Sequence, residues 1–346
     1  ANVLQALYGG ADLFVVGQYD DSASVAAVAI GSQVMQTITG IILGITTGTT
    51  VLIAIATGAK DDKKVAFTIG SSVWLFSIIG VLLTLVMVFF HGRIAELMHT
   101  PIEAMADTKS YILVCSAGIL FIVGYNVVCG ILRGLGDSRT PLYFVALACV
   151  INIVLDYVFI FIFGWEMMGA ALATSLGYVV GAAMIIIYLS RKKNVIHFCR
   201  VKLSRKSMQL TWRNVKYMCR LGASTFLCEG AIACMMFAGN YVFISYLGED
   251  GVAAFSIACY FFPIIFMVYN AIGQSAQPIL SYNFGAGDEA RVRSAFRLAL
   301  ATAVICGLVF FALTAIFNHQ IVAMFIDRSY PAYDIAVSGL PLFASA

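Results

Sequence analysis

One stretch of the chain, residues 65–90, reads VAFTIGSSVWLFSIIGVLLTLVMVFF and contains no charged side chain. It is longer than the roughly 20 apolar residues that an α-helix needs to cross the hydrocarbon core of a bilayer. The rest of the chain has the same character, since 61% of its 346 residues are hydrophobic and only 11% are charged. The mean hydropathy is +0.92. These values predict an all-α polytopic membrane protein.

Ten apolar segments are predicted to be membrane spans. They cover residues 1–17, 24–57, 65–90, 108–132, 142–163, 168–190, 221–247, 252–283, 295–317 and 332–346. The chain begins with Ala1, without Met, inside the first of these segments. We therefore expect the sequence to be a fragment of a longer protein.

The basic residues are distributed unevenly between alternate loops. Eighteen of the 21 Lys and Arg residues lie in the loops at 58–64, 133–141, 191–220 and 284–297. Because cytoplasmic loops carry the excess of basic residues, these four loops are predicted to face the cytoplasm, with the protein in the plasma membrane. The slightly basic charge balance thus reflects topology and gives no indication of nucleic-acid binding.

The loop at 191–220 is the long polar segment of the chain, with ten basic residues and no acidic residue. This composition is typical of a linker that lies against anionic membrane lipid. A regulatory partner site is the alternative. The linker separates an N-terminal lobe of six spans, at 1–190, from a C-terminal lobe of four spans, at 221–346.

The two lobes repeat one another in sequence. At one gapless offset of 227 residues, identical residues recur at several places, and the loop Gly58-Ala-Lys-Asp61 aligns with Gly285-Ala-Gly-Asp288. Six spans per repeat preserve the orientation, so the repeats are predicted to be parallel, about an axis along the membrane normal. A complete second repeat would end roughly 70 residues beyond Ala346, so two spans are expected to be missing.

Three stretches resemble the multidrug and toxic compound extrusion (MATE) transporters. They are Ala11-Asp-Leu-Phe-Val-Val-Gly17, then Leu132-Arg-Gly-Leu-Gly-Asp-Ser-Arg-Thr-Pro141 with Asn152-Ile-Val-Leu-Asp156, and Gln277-Pro-Ile-Leu-Ser-Tyr-Asn-Phe-Gly-Ala-Gly287. The resemblance implies a two-lobed exporter of twelve helices. It also implies exchange of an organic substrate for sodium ions or protons, with no cofactor besides that coupling ion.

Four polar residues within the spans of the N-terminal lobe form the main candidate site, namely Asp12, Asn152, Asp156 and Thr174. Asp12, Asp156 and Thr174 are predicted to share a depth within about 3 Å in the outer half of the bilayer, and Asn152 lies one turn deeper than Asp156. Carboxylates are costly in hydrocarbon, and oxygen ligands of these kinds suit a small cation or an exchangeable proton. The resemblance implies the same four residues as the cation site of the family. For Asn152 and Thr174, hydrogen bonding between helices is the alternative.

Glu229 stands alone about eight residues into the predicted seventh span. The resemblance links an acid at this place to binding of a cation or a cationic drug, and a water-facing acid near the cytoplasmic mouth is the alternative. Nearby aromatic and Met side chains are suited to an adaptable apolar cleft, although lipid contact and packing would also explain them. The candidates named for this cleft are Met236, Tyr260, Phe261 and Tyr269.

Three functions compete on this evidence. The first is a cation-coupled exporter of amphiphilic, often cationic organic compounds, which we expect to be monomeric. The second is a lipid-linked saccharide flippase, whose pyrophosphate cargo would favour Arg or Lys in the cavity, yet the Lys and Arg residues lie at the ends of the predicted spans or outside them. The third is an intramembrane enzyme, but the sequence has no recognisable nucleophile, metal or cofactor motif. The exporter is the function that we predict.

Overall fold

The computed structural model describes residues 22–98, 100–191, 205–323 and 331–345. Its helices are α1 (Ser22–Gly58), α2 (Asp62–Leu97), α3 (Met105–Gly134), α4 (Arg139–Asp156), a π-helix (Tyr157–Ile162), α5 (Glu166–Arg191), α6 (Arg205–Gly285), α7 (Glu289–Ala323) and α8 (Pro331–Ser345). Within these ranges there is no β-strand, which confirms the all-α prediction. Among the described residues, six helical segments are long and apolar enough to cross a membrane: α1, α2, α3, α4 with the π-helix, α5 and α7.

Helix α6 differs from the sequence prediction. The sequence predicts two spans, at 221–247 and 252–283, but the structure joins them in one helix of 81 residues. The predicted loop between them, Gly248-Glu-Asp-Gly251, is part of the helix and contains no proline, so no backbone donor is lost there. Each glycine weakens a helix by only about 1 kcal/mol, which the adjoining helical turns offset.

The chain divides into two compact units, Ala1–Phe226 and Leu227–Ala346. In the first unit α3 is central, because it packs against α1, α2 and α5. The large side chains of Phe76, Tyr111 and Ile119 are fully buried there. In the second unit α7 packs against α8 through a small apolar cluster. This cluster comprises Val322, Tyr333, Ala336, Val337 and Leu340.

The outer surface of α2 carries large apolar side chains. Leu82, Phe89 and Phe90 are 58%, 75% and 55% exposed. A soluble monomer rarely exposes a continuous apolar surface of this kind, whereas a helix that faces lipid requires one. The exposed side of α2 therefore agrees with a position in a bilayer.

A tight corner joins α1 to α2. The N–H of Asp61 donates to the carbonyl of Ala56 at 3.0 Å, and the N–H of Lys60 donates to Thr57 at 3.0 Å. The carboxylate of Asp61 then accepts from the N–H of Lys64 at 3.0 Å. The first two bonds form a Schellman motif, and the third is an N-cap, so one helix ends and the next begins within four residues.

The corner between α6 and α7 has the same hydrogen bonds at the predicted offset of 227 residues. The N–H of Asp288 donates to Asn283 at 3.0 Å, and that of Gly287 donates to Phe284 at 3.1 Å. The carboxylate of Asp288 accepts from the N–H of Arg291 at 3.0 Å. The sequence repeat is thus also a repeat of local structure.

A third corner, between α3 and α4, follows the same scheme although its sequence differs. The N–H of Asp137 donates to Leu132 at 2.9 Å, and the Asp137 carboxylate accepts from the N–H of Thr140 at 3.0 Å. Each of the three corners needs one residue with positive φ. That residue is Lys60 (56°), Gly136 (92°) or Gly287 (73°).

The beginning of α6 packs against α1 and α2 as part of the first unit. We call residues 208–226 the docked segment. Its buried residues, Thr211, Val215, Met218 and Gly222, recur at helical spacing and form one face. The Met218 sulfur lies 3.7 Å from the hydroxyl oxygens of both Thr49 in α1 and Ser72 in α2. The Asn214 amide donates to the Thr68 hydroxyl at 3.4 Å.

Glycine residues permit the close approach of α6 to α1. A Cβ atom on Gly222 would overlap the carbonyl oxygen of Gly44, and one on Gly48 would overlap the carbonyl oxygen of Met218. Both obstacles are backbone atoms, which cannot rotate away as the end of a side chain can. The spacing of Gly44 and Gly48 is the small-xxx-small pattern that lets membrane helices pack backbone to backbone.

Candidate functional site

Asn152 and Asp156 lie in the interior of the first unit. Both residues are 0% exposed. They are four positions apart in α4, so they share one face of that helix. Other positions of α4 are exposed, for example Val150 at 57% and Val154 at 55%. The helix therefore presents apolar side chains outward and its carboxylate and amide inward, as expected of a helix that has lipid on one side.

A π-helix begins directly after Asp156. At the transition, the N–H of Tyr157 reaches the carbonyls of both Ile153 and Val154. The π-helix continues to Ile162 and is followed by Gly164 with a φ of 64°. π-helical turns are rare and occur frequently at functional sites. The sequence predicts an ordinary helix at 142–163, because hydrophobic periodicity does not distinguish the two helix types over six residues.

The amide of Asn152 is buried without a hydrogen bond from the described part of the chain. None of the residues that the structure describes bonds to its Oδ1 or its Nδ2. A buried polar group left unpaired costs about 1–3 kcal/mol. Such a cost is tolerated at few places, and a binding site is one of them. The Oδ1 atom has the chemistry of a ligand for a hard cation.

Thr174 lies in α5 and is 7% exposed. Helix α5 packs against both α4 and the π-helix. The contact is close, since a Cβ atom on Gly169 would meet Phe159 and Ile160 at 3.0–3.2 Å. Asn152, Asp156 and Thr174 are thus buried residues on two adjacent helices. Asp12, the fourth predicted member, lies outside the described residues.

The candidates of the second lobe are placed less completely. Glu229, Met236, Tyr260 and Phe261 belong to α6, but their side chains lie outside what the structure describes. Tyr269 is described and is 38% exposed. Its hydroxyl lies where a Cβ atom on Gly307 of α7 would be, so the ring end fills a contact between two helices of the second unit. A role of Tyr269 in lining a cleft therefore stays a prediction.

Arg133 corrects one expectation from the sequence. The sequence places it in a loop, but the structure includes it in α3 and buries its Nε atom. Side chains in a helix point back toward the N-terminus, so Arg133 lies over the turn that carries Cys129. Two turns before Arg133, Tyr125 packs edge-to-face on Tyr178 of α5, with ring centroids 6.3 Å apart. A basic residue is therefore partly buried within the first unit, with its Nε atom inside.

The polar contacts of the docked segment were also missed. The ten basic residues of 191–220 predict a polar linker there. The spacing of Thr211, Val215, Met218 and Gly222 is the signal that could have revealed a packing face. Basic residues on the other face obscured this signal, because they lower the hydrophobicity of any window through the segment.

Comparison with known proteins places these features in a family. A family model described as MatE matches residues 1–158 and 228–338. The chain belongs to the MatE family. The matched ranges include Asn152 and Asp156 in the first unit and Glu229, Met236, Tyr260, Phe261 and Tyr269 in the second.

Curated relatives and solved structures agree with membership of MatE. The chain is 25% identical over 337 residues to the probable multidrug resistance protein YoeA of Bacillus subtilis (strain 168), covering 96% of this chain and 72% of that protein. It is 24% identical over 344 residues to the multidrug export protein MepA of Staphylococcus saprophyticus, covering 99% and 73%. A crystal structure of a MATE protein in the bent conformation superposes with a TM-score of 0.86 at 28% identity, covering 99% of this chain and 75% of that one.

Membership in MatE decides the class of function. Members of this family are membrane transporters and not enzymes, and they need no enzymatic cofactor. The six apolar helical segments agree with this class.

Proposed function

We propose that this MatE protein is a cation-coupled antiporter that exports amphiphilic, often cationic organic compounds by alternating access. YoeA and MepA, which are described as multidrug resistance and export proteins, support the class of cargo. The burial of Asn152 and Asp156 on one helical face supports the cation coupling. The observation that carries the proposal is the Asn152 amide, which is fully buried and has no hydrogen bond from the described residues.

In this proposal the coupling ion, Na⁺ or H⁺, binds at Asp12, Asn152, Asp156 and Thr174. A carboxylate buried in a medium of low dielectric constant is stabilised strongly by a positive charge within a few ångströms. The amide and hydroxyl oxygens complete a set of hard ligands for Na⁺. For H⁺, the same carboxylates accept and release the proton.

The cargo binds in the second lobe, at Glu229, Met236, Tyr260, Phe261 and Tyr269. A carboxylate with aromatic rings attracts cations through charge and cation–π contacts, and Met adapts to different shapes. Ion and cargo then favour opposite conformations of the transporter. Each ligand thereby weakens the binding of the other, which produces exchange without direct contact between them.

We further propose that the protein acts as a monomer in the plasma membrane, with the segment at 191–220 in the cytoplasm. The distribution of basic residues between loops supports this orientation. Anionic lipid is its second partner, beside the organic cargo.

Transport into everted membrane vesicles tests the proposal, with ethidium as cargo and with sodium and pH gradients imposed separately. One of the two gradients should drive uptake. Asp156→Asn keeps the shape of the side chain but removes its charge, so gradient-driven uptake should fall at least tenfold. Glu103→Gln is the matched control, because Glu103 is exposed and its loss should leave uptake unchanged.

Two results would contradict the proposal. Full gradient-driven uptake by Asp156→Asn would remove this residue from the ion site. The assay also includes an anionic lipid-linked sugar, which is the cargo of the alternative function. Movement of that lipid without any transport of ethidium would replace the exporter with a flippase.

A further inference from the structure

The docked segment has a second face, which points away from the first unit. Arg213, Lys216, Tyr217 and Arg220 follow the spacing i, i+3, i+4 and i+7, so they form one stripe along the helix. Trp212 borders this stripe and is 68% exposed, and Tyr217 is 57% exposed. All five side chains are exposed. We call these five residues the basic face.

The cations of the basic face have no acidic partner in the described part of the chain. The ion pairs found there join Glu96 to Arg93 and Lys109, and Asp288 to Arg291. None involves the basic face, and the surrounding segment at 191–220 contains no acidic residue. Since the opposite side of the helix lies against the backbone of α1 at Gly44 and Gly48, the helix that carries these charges is held in place.

The contacts of the docked segment place the basic face near the membrane surface. Helix α1 has 37 residues and is therefore about 55 Å long, which exceeds the hydrocarbon thickness of about 30 Å by about 12 Å at each end when the helix is centred. Thr49, beside Met218, lies about 13 Å from the end of α1, at the edge of the hydrocarbon. Thr68, beside Asn214, lies about 9 Å from the start of α2, which is within the headgroup layer when α2 is centred in the same way.

We propose that the basic face binds the phosphate headgroups of anionic phospholipids in the cytoplasmic leaflet. The choice of leaflet rests on the orientation given under the proposed function. Basic residues at an anionic surface, together with Trp and Tyr at the interfacial depth, are the combination that recognises such lipids. Each of the three cations contributes about a fivefold preference for anionic lipid over zwitterionic lipid, or about a hundredfold together.

Trp212 itself provides the reporter for the experiment. The chain has three Trp residues, at 74, 165 and 212, so Trp74→Phe with Trp165→Phe leaves Trp212 as the only indole. This protein is reconstituted in phosphatidylcholine vesicles that contain a small fraction of either brominated phosphatidylglycerol or brominated phosphatidylcholine. Bromine near the glycerol quenches fluorescence only on contact, so the two titrations give the relative affinity of the basic face for the two lipids.

The brominated anionic lipid should quench Trp212 at about one hundredth of the mole fraction that the zwitterionic lipid needs. Arg213→Gln with Lys216→Gln and Arg220→Gln should abolish this difference, and each single substitution should reduce it about fivefold. Raising the salt to 1 M should weaken the preference of the wild-type face for the anionic lipid. The matched control is the triple Gln variant of Arg291, Arg293 and Arg297, three exposed basic residues of α7, which should retain the full preference.

Several results would overturn the proposal. Equal quenching by both lipids would mean ordinary bilayer contact, and absence of quenching by either would mean that the face lies away from the membrane. Displacement of the brominated anionic lipid by millimolar inorganic phosphate would assign the face to a soluble anion. Because the readout is fluorescence, a failure here is distinguishable from a failure of ethidium transport.

Discussion

Gly222→Ala tests whether α6 really lies against the backbone of α1. At an open position in a helix, replacing Gly by Ala stabilises the folded state by about 1 kcal/mol. At Gly222 the new Cβ atom overlaps the carbonyl oxygen of Gly44, so one helix has to move. Overpacking of this kind costs about 1–3 kcal/mol.

The matched control is Gly273→Ala in the same helix. Nothing lies within 4 Å of a Cβ atom built on Gly273, so this substitution should give the ordinary gain of a helical alanine. The two variants should therefore differ in free energy of unfolding by about 2–4 kcal/mol, with Gly222→Ala the less stable.

The assay is reversible unfolding in mixed micelles, with increasing mole fraction of dodecyl sulfate and helix content as the signal. Thermal melting in detergent provides a second measurement on the same two proteins. If Gly222→Ala unfolds at the same dodecyl sulfate fraction as Gly273→Ala, the backbone contact is refuted. The positions deduced for the basic face would then be refuted as well.

Three further predictions follow from the corners and the topology. Lys60→Gly should raise the free energy of unfolding by up to about 1 kcal/mol, because glycine occupies the equivalent left-handed position at Gly287. An unchanged or lower stability in the same micelle assay would contradict this prediction. Asp137→Ala should lower the free energy of unfolding by about 0.5–2 kcal/mol, because the N–H of Thr140 loses its cap. Asp137→Asn should recover most of that loss. A Cys placed at Ser204, after removal of accessible native thiols, should react with an impermeant thiol reagent only after cell lysis, and labelling of intact cells would invert the topology.

The sequence predicts most of the fold for a simple physical reason. A bilayer requires about 20 apolar residues per helix, so composition alone locates segments such as 65–90 within α2. The corner at Gly58–Asp61 was also predictable, since its repeat at Gly285–Asp288 marks it as a loop. The continuity of α6 was not predictable, because Gly248 and Gly251 permit either a turn or a helix and the choice depends on tertiary packing.

The candidate site was predicted in part. A carboxylate at Asp156 and an amide at Asn152, one turn apart, follow directly from the four-residue spacing and from their apolar surroundings. The π-helix after Asp156 has no sequence signal, because it depends on how the chain returns to α5. The buried Nε atom of Arg133 was missed for a related reason, since a residue at the end of a span can direct its side chain into the protein as readily as out of it.

The three corners have a consequence for how the protein can move. At Asp61 and its counterparts Asp137 and Asp288, the backbone between two helices is held by two carbonyl acceptors and one carboxylate within four residues, so these turns are poor hinges. Helices joined by such a corner, such as α1 with α2 or α3 with α4, should then shift as rigid pairs. During a transport cycle, backbone amides in the corners should exchange slowly with deuterium in every state. Changes in exchange should be concentrated where one pair slides against another, and the contact of Gly222 with Gly44 is such a surface.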